Sequence, residues 1–106
     1  MYDKYMDIKN NNIDSIVMIK VGTFYHIYDK DMIIINYLFK YNIINDKVEF
    51  PISNLNKVIN KLKKLEINYY IDDTIFYKFD NNKYQEIYEK SKTYYELSLE
   101  IENIYN

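Results

Sequence analysis

Apolar positions along this 106-residue chain fall into short runs separated by polar punctuation, and the spacing within each run predicts its element. Tyr2, Tyr5 and Met6 recur at helical spacing, and Asn10-Asn11-Asn12 closes the segment, so a first helix is expected over Tyr2 to Lys9. Ser15 to Val21 is nearly continuous in apolar, β-branched residues, the pattern of a central strand covered on both faces. Gly22, the only glycine, marks a sharp turn, because glycine alone takes positive φ without penalty. Thr23 to Tyr28 then predicts a second strand.

Asp29 or Asp31 is placed to cap a helix from Asp31 to Tyr41, although Ile33-Ile34-Ile35 would also suit a strand. Lys47 to Ile52 predicts a strand that Pro51 confines to a sheet edge or a strand end. Ser53 or Asn54 supplies the cap of the next helix. Its apolar stripe is Leu55, Val58, Ile59, Leu62 and Leu65, with Lys57, Lys61 and Lys64 on the opposite side. Ile67 to Asp72 and Thr74 to Phe79 predict a hairpin about Asp72-Asp73. Asp80-Asn81-Asn82 is a turn, and Lys83 to Tyr105 a long helix. The order α-β-β-α-β-α-β-β-α gives an α/β (α+β) class, a mixed β-sheet flanked by helices. Residues 1–82 form the expected domain, and 83–106 a helix that either packs on it or mediates self-association.

In that helix Ile87, Lys90, Tyr94, Leu97, Ile101 and Ile104 follow a 3-4-3-4-3 spacing, widened by Tyr84, Tyr88, Tyr95 and Tyr105. A helix of ~23 residues is ~35 Å long, more than a small sheet needs for cover. Tyr94, Leu97, Ile101 and Ile104 are therefore candidates for an interface with a second copy or another protein. Packing across the chain's own sheet is the competing reading.

Charge and composition narrow the chemistry. All 14 basic residues are lysine, against 16 acids and a net charge of −2. A nucleic-acid binder ordinarily carries a basic excess, so the global charge argues against strong independent DNA binding. There is no cysteine, hence no disulfide or thiolate metal site. A single histidine rules out a two-histidine zinc motif. The start of the chain lacks a secretion pattern and no apolar run approaches the ~20 residues of a membrane span, which favours a cytoplasmic protein. No nucleophile, acid–base pair or metal constellation stands out, so neither an enzyme nor a cofactor is expected. Lysines opposite an apolar stripe are more often a solvated face than a phosphate site, and Asp72-Asp73 suits a turn for local reasons.

Three stretches together resemble the N-terminal mismatch-recognition domain of MutS, over residues 2 to 75. Tyr5-Met6-Asp7-Ile8-Lys9 with Ile13-Asp14 is similar to the family's opening Tyr-Leu-x-Ile-Lys and Pro-Asp pattern, with Ile13 where proline is usual. Ile16 to Tyr28 resembles the apolar strand leading into Gly-Asp-Phe-Tyr-Glu-(Leu/Met)-Phe. Phe50-Pro51, the leucines of the following helix and Ile67-Asn68-Tyr69-Tyr70-Ile71 resemble the Gly-Val-Pro segment, helix and strand.

The resemblance implies that Phe24 is the residue inserted into the DNA minor groove to stack on a mismatched base. Residues two apart on a strand share a face, so Phe24 and His26 project together with Tyr28 next along. His26 stands where the family has a glutamate that hydrogen-bonds the base, and Thr23 replaces an aspartate. A neutral imidazole can accept one hydrogen bond and donate another, but it is no carboxylate. Phe24, Tyr25, His26 and Tyr28 are thus the candidate DNA-binding residues, with Lys57, Lys61 and Lys64 as weaker phosphate contacts. The P-loop ATPase of MutS needs glycines ending in Gly-Lys-Ser/Thr, and the one glycine here precedes Thr23, so no nucleotide partner is expected, and the resemblance is to the recognition domain as a stand-alone protein. Two functions remain: a non-catalytic module binding mismatched or distorted duplex DNA, or a protein-interaction module that keeps the fold and has lost DNA reading.

Overall fold

The apolar run at Ile16–Val21 forms the middle strand of a five-stranded sheet in the computed structural model, which describes residues 1–72 and 74–105. In chain order the elements are α1 (Tyr2–Lys9), β1 (Ile16–Val21), β2 (Phe24–Tyr28), α2 (Asp29–Phe39), β3 (Lys47–Pro51), a 3₁₀ turn (Ile52–Asn54), α3 (Leu55–Lys64), β4 (Tyr69–Ile71), β5 (Ile75–Tyr77) and α4 (Tyr84–Tyr105). The strands lie in the order β3-β2-β1-β4-β5. Only the β1–β4 pairing is parallel, as expected where helices intervene between the strands; the other three are antiparallel.

Period-two alternation divides the sheet between two cores. Ile16 and Met18 of β1, Tyr25 and Ile27 of β2, and Val48 and Phe50 of β3 face the larger one. There they meet Ile34 and Ile35 of α2, Val58 and Leu62 of α3, and Tyr84 of α4. Val17 and Ile19 face the other way, onto Tyr5 of α1. This two-sided cover explains why β1 lacks polar alternation. The triple isoleucine at 33–35 is helical: Asp31, Ile34, Ile35 and Leu38 recur at three- and four-residue spacing and turn one helical face inward.

Neither α2 nor α3 has a side-chain cap, although Asn54 does stand at the N-cap position of α3. α2 begins after Tyr28, and Asp31 points inward instead of capping the helix. Its fully buried carboxylate accepts from Tyr5 Oη (2.8 Å), Lys9 Nζ (2.8 Å), Tyr84 Oη (2.6 Å) and the Val17 N–H (3.0 Å). Burial pushes its pKa up against the pull of Lys9; with four donors around it, the carboxylate is the form the site accommodates. The same burial, with Asp31 beside them, raises the Tyr5 and Tyr84 phenols. Likewise α3 is entered through the 3₁₀ turn, and the Asn54 amide donates to Tyr41 Oη at 3.2 Å. Among the described residues every buried side-chain nitrogen and oxygen has a partner. Asp73, half of the expected hairpin turn, lies outside the described residues, while Asp72 is buried and paired with Lys4 at 2.9 Å.

α4 packs by its first turns. Tyr84 and Ser91 are buried, and Ile87 and Tyr88 lie against the larger core. Tyr94 meets Tyr37 of α2 edge-on at 5.5 Å. The packing face is therefore Tyr84, Ile87, Tyr88, Ser91 and the half-buried Tyr95, not the stripe through Lys90. At about 100° per residue, Tyr94, Leu97, Ile101 and Ile104 centre roughly a third of a turn away from that face and stay exposed. Among the described residues no helix is long and apolar enough to cross a membrane.

Candidate nucleic-acid interface

Gly22 and Thr23 join β1 to β2 across the Val21–Phe24 pair, a two-residue hairpin link. Gly22 takes φ +61°, the left-handed value that such links require at their first position. The Ile52 N–H donates to the Thr23 carbonyl at 2.9 Å and pins the hairpin tip to the start of the 3₁₀ turn. Phe24 is thereby held at the tip of a fixed ribbon, and it is 40% exposed.

Phe24, His26 and Tyr28 project from one face, beside Lys47, Glu49 and Pro51 on β3. α1 covers only part of this face. Tyr2 and Tyr5 pack their rings on Tyr28 at 5.4 and 5.3 Å, leaving the Phe24 end open. His26 sits opposite Glu49, with Nε2 3.5 Å from Oε1, and Lys47 Nζ lies 3.4 Å from the same oxygen. On the other side of the ring, Nδ1 lies 3.3 Å from Tyr28 Oη. Desolvation lowers the His26 pKa, outweighing the upward pull of Glu49, with Lys47 adding to the drop; the ring is neutral at pH 7.

The other candidates are dispersed. Tyr25 alternates inward, 3% exposed against Phe50, so the period of the strand removes it from any DNA-facing surface. Lys57, Lys61 and Lys64 are exposed on α3, in the helical layer on the far side of the sheet from the Phe24 ring. Lys61 donates to the Leu38 carbonyl at 2.9 Å, satisfying the end of α2. Tyr94, Leu97, Ile101 and Ile104 are on α4, exposed but apart from the Phe24 face.

The cation and amides beside Phe24 come instead from residues that the sequence pattern did not single out; of the two lysines there, Lys40 turns its ammonium over the Tyr94 ring at 4.0 Å. An open hollow of about 420 Å³ adjoins its ring, lined among others by Lys40, Asn42, Asn45, Lys47 and Glu49. Lys47 and Glu49 carry a legible signal, since Lys-Val-Glu-Phe-Pro alternates and puts two charges on one strand face. Their neighbours across the sheet, and the loop 40–46, become visible only on pairing. Among the described residues no group of three or more His, Cys, Asp or Glu side chains is placed to hold a metal ion.

No curated protein matches the chain. The family model for MutS domain I matches residues 1–73, which run from α1 through β4 and include the whole Phe24 hairpin. The chain belongs to the MutS domain I family.

Proposed function

We propose that this chain is a non-catalytic DNA-binding module that engages mismatched or distorted duplex by inserting Phe24 into the minor groove. The observation that carries this reading is a large aromatic ring left exposed at the tip of a rigid hairpin, at the motif position where family resemblance implies a wedge. Inserting an apolar wedge costs a few kcal/mol of base stacking, and a mismatch has already lost part of that stacking. Neutral His26 lies on the same strand face two residues along, and Lys47 supplies positive charge nearby. Titrating a short mismatched duplex into isotope-labelled protein tests this. Amide shifts should concentrate in residues 22–28 and 40–49; shifts confined to α3 and α4 would contradict it.

A second reading, a protein-interaction module, is favoured by where apolar surface is exposed. Eight of the 13 exposed large hydrophobic side chains among the described residues lie beyond the family match: Ile75, Phe76, Tyr77, Tyr94, Leu97, Leu99, Ile101 and Ile104. Sedimentation of the protein should then give a dimer that Leu97→Asp with Ile101→Asp dissociates. A strict monomer at all concentrations would count against self-association.

A further inference from the structure

We infer that the hollow beside Phe24 is a receiving site for one unpaired nucleotide, the base displaced next to the wedge. The inference rests on the DNA-binding reading above and adds to it a place where an extrahelical base is held. A base outside the stack needs an aromatic or apolar wall, hydrogen-bonding groups for its edge and a cation for its phosphate. The hollow has all three. Phe24 and Tyr41 supply aromatic surface, Asn42 and Asn45 supply amides that both donate and accept, and Lys47 supplies a cation; the Lys40 ammonium is turned away, over the Tyr94 ring at 4.0 Å. Glu49, held by Lys47 and His26, adds an acceptor for an exocyclic amino group.

The site is preformed. The Tyr41 carbonyl accepts from the Asn36 amide at 2.8 Å, and its ring stacks on Phe39 at 5.5 Å. Ile44 and Lys47 pair across Asn45-Asp46, both left-handed at φ 53° and 59°. Lys40 is left-handed too, at φ 60°, so three uncommon backbone conformations shape this one loop. A slightly larger hollow, about 480 Å³, is lined by Tyr2, Tyr28, Met32 and Asn45 with two carboxylates, Asp29 and Asp46, and no lysine. It would repel a phosphate, so charge and not volume selects between the two.

The test compares, at low salt, a duplex carrying a single unpaired base with the same duplex carrying an abasic unit at that position. The full chain should bind the first about tenfold more tightly, the gain expected of one base stacked on an aromatic ring. Asn42→Trp, which fills the hollow from an exposed loop position, should erase that difference. If the unmodified protein prefers mismatched over matched duplex yet binds the two bulged duplexes equally, the receiving site is refuted while the wedge reading stands. A tenfold difference that survives Asn42→Trp refutes the location. No preference for any of these duplexes removes both.

Discussion

At the scale of single residues, His26 carries the clearest consequence. Its ordinary pKa of 6.5 is lowered by burial, Glu49 is the one influence raising it, and Lys47 lowers it further. The imidazole resonances should therefore titrate below pH 6.5. Glu49→Gln should lower the midpoint again, and Lys47→Gln should raise it. Because the folded value lies below the unfolded one, the stability of the neutral ring is complete above pH 6.5 and is lost as pH falls through the folded value. The loss is small for a half-buried group. A midpoint above 6.5 in the unmodified protein, read by NMR, would contradict the arrangement. In the family pattern this position is a glutamate; here a carboxylate is still at hand, but it comes from β3, directly opposite.

Among elements, the β1–β2 hairpin decides where the wedge points. Gly22 has a left-handed φ, and a Cβ built there meets no atom within 4 Å among the described residues. The cost of Gly22→Ala is thus purely conformational, roughly 1–2 kcal/mol, and should appear as a lower urea midpoint with an unchanged slope. Gly22→Asn should cost less, since asparagine tolerates that region. Equal stability of both variants and the parent would mean that the turn is not left-handed.

Strands and helices were legible because each is written in local periodicity: the boundaries of β1, β2, β3 and α4 fall within a residue or two of the pattern. The caps were not. Asp31 sits where a cap is expected, yet its partners Tyr5, Lys9 and Tyr84 are remote in sequence and draw it inward. Tyr25 is the converse case: it adjoins Phe24 and His26 in the motif, yet strand alternation sends it to the opposite face. The hollow escaped for a third reason. Its loop is shaped by left-handed Lys40, Asn45 and Asp46, and no periodicity announces a lysine in that conformation.

For the whole molecule, the net charge is −2, the α3 lysines lie behind the sheet and the Lys40 ammonium sits over Tyr94, so Lys47 is the cation placed beside Phe24 among the residues lining its hollow. Phosphate attraction is then modest, and shape at a weakened base step has to supply the preference. The most direct measurement is an anisotropy titration at low salt of the intact chain against matched and mismatched duplexes of the same length. The account predicts tighter binding to the mismatch, with Phe24→Ala abolishing the difference. Equal affinity for the two duplexes, or a preference that survives Phe24→Ala, would contradict it.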